Sequence, residues 1–391
     1  MITTFRGFKL RTMKNYFLQQ YVASSNSIPG YFLFDAALMF LAYNQLIAAQ
    51  GVTGDVLEIG VHHGLSAIIV ASMAGPGRSF IAVDLFEELQ DHNVSGSGSG
   101  NEQGFLSNMQ KFFDDLSFLQ TIKANSASLS ADALGSEFAF CHIDGGHTPD
   151  ETYKDLDLCC RVLMPGGLLA LDDYFNPAFP GVCEGANQFR LEQRDELKPI
   201  AIGFNKVLFQ RTGSNSDLDS SFNSHFQMIP MERSVLWGTP VNHFTTKLRP
   251  FFDLTKSSPH SLVATQDGIV TATFETVPSP LPSEPDKTIS LDVKITNKSD
   301  AEFPYGDGEF GLSYHLLSKS GKMIIFDNAR TYLHSPLQPG KSVSVSLPVQ
   351  VPGASGEYQV ELDLVWEGML WFKENGNPTA KIDLVVMSDM L

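Results

Sequence analysis

Between residues 51 and 211, short apolar runs alternate with longer stretches of helical period. Asp55-Val-Leu-Glu-Ile-Gly60, Phe80-Ile-Ala-Val-Asp84, Phe138-Ala-Phe-Cys-His-Ile143, Gly167-Leu-Leu-Ala-Leu171 and residues 200–209 read as buried strands. Residues 65–73, 105–119 and 148–163 carry the helical pattern between them. Continuous apolar strands separated by helices predict a doubly wound parallel sheet with both faces covered, a Rossmann-like α/β unit.

Past Thr212 that rhythm stops. Gly213-Ser-Asn-Ser-Asp-Leu-Asp-Ser-Ser has the composition of a linker, and residues up to 259 show scattered aromatics without a period. From residue 260 the period becomes two, as in Ile289-Ser-Leu-Asp-Val-Lys-Ile295, Val343-Ser-Val-Ser-Leu-Pro-Val349 and Tyr358-Gln-Val-Glu-Leu-Asp-Leu364. Turn signals at Asn297-Lys-Ser-Asp, Gln338-Pro-Gly and Pro352-Gly separate these runs, which predicts an all-β antiparallel sandwich of about eight short strands. The expected organisation is a helical segment over residues 1–50, the α/β domain over 51–212, an irregular linker or extension over 213–259 and the sandwich over 260–391.

Residues 31–49 are apolar but interrupted by Asp35, Asn44 and Gln45, which predicts an amphipathic helix and not a membrane span. The first eleven residues have no apolar core with a small-residue cleavage site, so a cytoplasmic protein without a secretory signal is expected. Asp91-His-Asn-Val-Ser-Gly-Ser-Gly-Ser-Gly100 reads as a flexible loop.

The chain has 391 residues, 27 basic against 44 acidic, for a net charge of −17. That sign argues against nucleic acid or an anionic membrane as the main partner and favours a neutral or cationic small ligand. The four cysteines, Cys141, Cys159, Cys160 and Cys183, lack paired metal-type spacing and read as small apolar residues.

The chemistry gathers where strands end, because ligands of an open parallel sheet bind at the strand C-terminal ends. Glu58-Ile-Gly60-Val-His-His-Gly64 follows the first strand with a Gly-x-x-x-Gly spacing, not the Gly-x-Gly-x-x-Gly of dinucleotide sites. A glycine bend there lets a ligand lie against bare backbone, and Asp84, ending the second strand, has the acceptor oxygens for ribose hydroxyls. Asp144, Asp172 and Asp173 follow two strands expected to be neighbours. Carboxylates crowded together repel unless a cation neutralises them, and an oxygen-only donor set favours Mg²⁺ or another hard divalent ion. The alternative is that Asp144-Gly-Gly is a turn and Asp172-Asp173 a cap. His147, three residues past Asp144, is a candidate general base; His142, inside a strand, reads as core.

Val56-Leu-Glu-Ile-Gly-Val-His-His-Gly-Leu-Ser66, Phe140 to His147 with Tyr153, Asp155 and Leu156, Leu163-Met-Pro-Gly-Gly and Asp172-Asp-Tyr174 together resemble the class I S-adenosylmethionine-dependent methyltransferases. The branch is that of the metal-dependent macrolide-sugar O-methyltransferases and cephalosporin hydroxylase-type proteins. The resemblance spans residues 30–211. It implies that Glu58, Gly60, Gly64, Ser66, Asp84 and Ser126 surround S-adenosyl-L-methionine, that Asp144, Asp172 and Asp173 hold the metal, and that His147 is the base beside Asp144. Family sites often carry a glutamate where Asp172 stands.

The second half, through Leu337-Gln-Pro-Gly-Lys, Pro352-Gly, Gly356-Glu-Tyr and Leu364-Val-Trp-Glu-Gly-Met-Leu-Trp-Phe-Lys373, resembles the C-terminal sandwich of O-antigen exporter ATPases, domains that bind glycan ends. The two resemblances together imply O-methylation of a sugar hydroxyl in surface polysaccharide or glycan biosynthesis, with a small-molecule or glycan substrate and room for a homo-oligomer. Two rivals stand beside it. A hydroxylase would need a two-histidine, one-carboxylate iron triad, which is not evident in the sequence. A glycan-binding or assembly module with a degenerate methyltransferase half would not bind the methyl donor.

Overall fold

The chain divides into two units, Met1–Leu248 with Phe252–Ala264, and Arg249–Phe251 with Thr265–Leu391. The computed structural model describes residues 17–387 except 95, 97, 136, 193–194, 215–216, 228, 230, 246, 255, 265–270, 277–278, 300–301, 304, 307–309, 368–369 and 376. The stretch read for a secretory signal, residues 1–11, lies outside the described residues, as do parts of the 91–100 loop and of the 213–221 run.

The first unit runs α1 (Phe17–Ser25), α2 (Phe34–Ala49), β1 (Asp55–Ile59), α3 (Leu65–Met73), β2 (Phe80–Asp84), α4 (Glu102–Phe112), β3 (Leu119–Lys123), α5 (Ala131–Leu134), β4 (Phe138–Ile143), α6 (Pro149–Val162), β5 (Leu163–Leu171), α7 (Pro180–Glu192), β6 (Leu197–Gly203), β7 (Lys206–Arg211), α8 (Leu218–His225), β8 (Glu232–Leu236) and β9 (Thr239–Phe244). The nine strands form one sheet, β3-β2-β1-β4-β5-β7-β6-β9-β8. Strands β1 to β5 are mutually parallel, and β7 joins β5 antiparallel. This is the expected Rossmann-like sheet, with crossover helices on both faces. Leu57, Ile59, Cys141, Ile143, Leu169 and Leu171 pack with Leu156 of α6 and with Val182, Ala186 and Phe189 of α7. Their neighbours in the strands point the other way, and Phe140 and His142 each lie 5.2 Å from the ring of Phe40 in α2. Burial on both faces is why these strands read as unbroken apolar runs.

Four expectations change. The helix expected over 105–119 ends at Phe112, and Leu119–Lys123 instead forms the edge strand β3 beside β2. Residues 200–209 are not one strand but the end of β6 and the start of β7, reversed at Phe204 (φ 53) and Asn205 (φ 68). Helix α2 is not amphipathic: it is buried almost all round from Phe34 to Ile47. Residues 213–259 are not a linker, because α8, β8 and β9 fall within them and extend the sheet. These last two corrections share a cause. Three polar groups of α2 are satisfied by the later segment: Asp35 Oδ1 accepts the Leu248 N–H (2.5 Å), Gln45 Oε1 accepts the Leu262 N–H (2.7 Å), and Tyr43 Oη accepts from Asn242 Nδ2 (2.8 Å). A buried helix of this kind keeps polar groups only where they find such partners. No described helix is long and apolar enough to cross a membrane.

The second unit is all β: β10 (Ala272–Glu275), β11 (Leu281–Ser283), β12 (Thr288–Asn297), β13 (Phe310–Ser318), β14 (Met323–Ile325), β15 (Thr331–Tyr332), β16 (Ser342–Gln350), β17 (Gly356–Trp366), β18 (Leu370–Trp371) and β19 (Ala380–Val386). One sheet is β10-β12-β16; the other is β11-β19-β17-β13-β14, with β15 on β13 and β18 on β17. All pairings are antiparallel except β11 with β19. Leu291, Val293 and Ile295 pack with Leu347 and Val349 and with the alternate residues Leu312, Tyr314 and Leu316 of β13, Val360, Leu362 and Leu364 of β17, and Ile382, Leu384 and Val386 of β19. Strand β13 is buried on both faces because residues 326–329 fold over it: Ser313 Oγ donates to the Ala329 carbonyl (3.0 Å) and Asn328 Nδ2 donates to the Tyr314 carbonyl (3.0 Å). Phe372 is fully buried, and Trp366 and Trp371 are partly so.

Candidate functional site

At the C-terminal end of β1 the chain must turn from a buried strand into α3 while passing close to the end of β4. Gly60 adopts φ 86, and a Cβ there would lie 2.0 Å from the Asp144 carbonyl oxygen. Only glycine meets both demands. Gly64, at φ 94, is the N-cap of α3. Asp84 fixes the loop between them. Its Oδ2 accepts the N–H groups of Val61 and His62 and its Oδ1 that of Phe86, all at 2.8 Å.

This loop borders a cavity of about 570 Å³ lying over the ends of β1, β2, β4 and β5. Of the residues expected around a cofactor, Gly60, Ser66, Asp84 and Ser126 line it, as do all four of Asp144, His147, Asp172 and Asp173. Glu58 and Gly64 do not line it. Glu58 is fully buried beneath, accepting from Ser66 Oγ (2.5 Å) and bonded through the same oxygen to His142 Nδ1 (2.8 Å). Gly98 and Gly100 of the glycine-rich stretch also line the cavity, and Gly100 sits so close to His62 that a Cβ would fall 2.6 Å from its Cα.

Burial, reinforced by the nearby Asp172, pushes the Glu58 carboxyl up to about 8 against the Ser66 hydrogen bond. The same burial drives His142 down to about 3. At neutral pH both are uncharged, which is how two titratable groups share a dry interior. His142 is thus the core residue its position in the strand suggested.

The acids do not converge on one point. Asp144 shares a cluster with His147 and Asp173 and another with His142 and Asp172, each with donor atoms within 4.8 Å of one another. Asp144 receives no side-chain hydrogen bond from the described residues, and burial, with Asp172 next, holds its carboxyl well above the usual range. Asp173, at φ 58, is held by three donors: His147 Nε2 (3.1 Å), Asn176 Nδ2 (2.9 Å) and Asn205 Nδ2 (2.6 Å). Burial would raise its carboxyl, but the His147 and Asn176 hydrogen bonds and the charges of His147 and Lys206 outweigh it and leave it below the ordinary value. The His147 ring stacks on Phe179, with centroids 3.8 Å apart and 12° between planes.

Asp172 is engaged by a different set of partners. Its Oδ2 forms an ion pair with Lys206, its Oδ1 accepts the Asp173 N–H (2.7 Å), and His142 Nε2 lies 3.9 Å away. Lys206 and Asn205 are the functional residues that sequence reasoning missed, both carried by the β6–β7 turn. The signal available was Gly203-Phe-Asn205, since Asn and Gly tolerate the positive φ of a tight hairpin. Phe32 was missed as well; it lines the cavity, and the Lys206 ammonium lies 5.1 Å from its ring centroid.

Fold and site together define a Rossmann-like unit whose ligand cavity lies at the strand C-terminal ends, with a bare-backbone loop on one side and carboxylates on the other. Residues 57–174 match a family described as a methyltransferase domain. Among solved structures, the chain is similar to the O-methyltransferase NovP (TM-score 0.39, 18% identity, covering 46% of this chain and 80% of that one). It is also similar to the O-methyltransferase TomG from Streptomyces achromogenes, involved in tomaymycin synthesis and solved with SAM (TM-score 0.36, 15% identity, 54% and 94%). A third is CalS11, a calicheamicin methyltransferase (TM-score 0.37, 16% identity, 55% and 98%). No curated protein matches the chain.

Proposed function

We propose that this protein is an S-adenosylmethionine-dependent O-methyltransferase acting on a sugar hydroxyl in surface polysaccharide or glycan biosynthesis, assisted by a hard divalent ion. The observation that carries the reading is one cavity bounded by the Gly60 loop, locked by Asp84, and by the Asp144, His147 and Asp173 cluster. The methyltransferase-domain match over residues 57–174 supports it.

The sulfonium cofactor supplies an electrophilic methyl group, so the protein's task is alignment of acceptor and donor. Gly60, Ser66, Asp84 and Ser126 border the part of the cavity that would receive it, with the Gly60 turn offering bare backbone. The donor set fits a hard cation: Asp84, Asp144, Glu151, Asp172 and Asp173 line the cavity, and the carboxylate of Asp144 accepts no hydrogen bond from the described residues. Asp144 and Asp173 would hold a divalent ion such as Mg²⁺, with Asp172 behind them. When bound, such an ion supplies Lewis acidity that lowers the pKa of an acceptor hydroxyl. His147 is positioned to take the proton. Its Nε2 is bonded to Asp173, and stacking on Phe179 fixes the ring plane.

The test is calorimetry with S-adenosylmethionine followed by transfer of a labelled methyl group to a glycan extract. Binding with transfer that D144N abolishes is expected. Absence of cofactor binding would instead favour a glycan-binding module with an inactive α/β unit.

A further inference from the structure

The β6–β7 turn delivers two donors side by side onto two adjacent acids, Asn205 onto Asp173 and Lys206 onto Asp172. The two acids are thereby given different tasks. Asp173 keeps contact with the cavity cluster of Asp144 and His147. Asp172 is almost wholly buried, and both its oxygens are engaged, one by the Asp173 backbone N–H and the other by the Lys206 ammonium.

Lys206 is itself only 3% exposed. It forms no other salt bridge or hydrogen bond through its side chain among the described residues; its ammonium lies 5.1 Å from the ring centroid of Phe32 and near enough to Asp144 and Asp173 for its charge to act on both. Moving the ammonium off Asp172 would break a buried ion pair, and buried lysines are stable only when paired. An incoming ion seeking Asp172 would have to displace that buried cation.

We infer that Lys206 is the built-in cation of this site: it occupies Asp172, which makes Asp172 a positioning residue, and leaves Asp144 and Asp173 as the acids that hold the divalent ion. The inference rests on the reading that the cavity takes such an ion. It gives the site two carboxylates not paired with a lysine and one internally neutralised, and so sets its metal affinity lower than three acids without a lysine partner would.

The experiment titrates Mn²⁺ into the full chain and follows free Mn²⁺ by electron paramagnetic resonance, with melting curves as a check on folding. D144N and D173N should each weaken binding at least tenfold. D172N/K206M removes the ion pair as a neutral unit and should stay within threefold of the unaltered chain. K206M alone frees a carboxylate and deletes a positive charge, so it should tighten Mn²⁺ binding about tenfold, a direction that damage to the fold cannot produce. A tenfold loss in D172N/K206M, or unchanged or weaker binding in K206M, overturns the inference while leaving the metal reading intact. An unaltered chain that takes up no Mn²⁺ overturns both.

Discussion

The α-carbon of Gly60 faces the carbonyl oxygen of Asp144 so closely that a methyl group added to it would sit 2.0 Å from that oxygen. The Asp144 N–H is bonded in turn to the Ile59 carbonyl at 2.8 Å, so neither backbone can retreat without breaking the β1–β4 ladder. Gly60→Ala should therefore destabilise the first unit by more than ~3 kcal/mol and remove cofactor binding. Gly51, at φ 82 with nothing within 4 Å, is the control: Gly51→Ala should cost only the left-handed penalty, about 1–2 kcal/mol. Denaturant unfolding of both variants separates the steric part from the conformational part, and equal losses would contradict the argument.

Asp84 holds three backbone N–H groups of the loops that follow β1 and β2. Asp84→Ala strands all three, whereas Asp84→Asn keeps one acceptor oxygen. The alanine variant should lose about 2–4 kcal/mol and the asparagine variant roughly half of that. S-adenosylmethionine affinity measured by calorimetry should fall in the same order. Unchanged affinity in Asp84→Ala would show that the loop keeps its shape without the carboxylate.

How much of this was legible in the chain depends on where each partner lies. The strands β1, β2, β4 and β5 and the helix α6 were readable because double-sided burial writes apolar runs, and because Thr148-Pro149 with Glu151 forms a capping box at the start of α6. Strand β3 was not readable. It is an edge strand with no fully buried residue and only Leu119, Thr121 and Ile122 half-buried, so nearby helical spacing absorbed it. The hairpin of β6 and β7 was hidden because both halves are apolar and the turn carries Phe204, a residue rarely found at φ 53. Asp144, His147, Asp172 and Asp173 were visible as residues following strands. What divides Asp172 from Asp173 was not, since Lys206 and Asn205 lie more than thirty residues further on and look like ordinary strand-end residues.

Asp173 orients His147 through Nε2 at 3.1 Å. His147→Ala should reduce methyl transfer by ~10²–10⁴, the usual worth of a positioned base. Asp173→Asn should lower kcat strongly while changing S-adenosylmethionine affinity less than about threefold, because its contacts lie on the carboxylate side of the cavity and not with the Gly60 loop. Since the Asp173 carboxyl sits below its ordinary value, it stays ionised as the pH falls toward 5, and any acid limb of the rate profile in that range belongs to another group. A kcat that survives in both variants would remove His147 from the chemistry.

Asp155 of α6 supplies a pH signature that does not involve the cluster. It is fully buried, its oxygens have no well-aligned hydrogen-bond partner, and it lies against Gly145, where a Cβ would fall 3.0 Å from its Oδ2. Burial pushes its carboxyl from an ordinary 3.8 up to about 7, against a smaller opposing pull from the Ser126 hydroxyl. The folded chain therefore keeps a proton that the unfolded chain releases between those values. Its contribution to stability is fully present below about 3.8 and is lost as pH rises through 7, by linkage on the order of 4 kcal/mol. Asp155→Asn cannot titrate. Its stability relative to the unaltered chain should rise steadily from pH 4 to pH 7 and level off above, as measured by denaturant unfolding across that range. A difference that stays flat with pH would mean that Asp155 ionises normally in the folded chain, with water or a shifted Ser126 reaching its carboxylate.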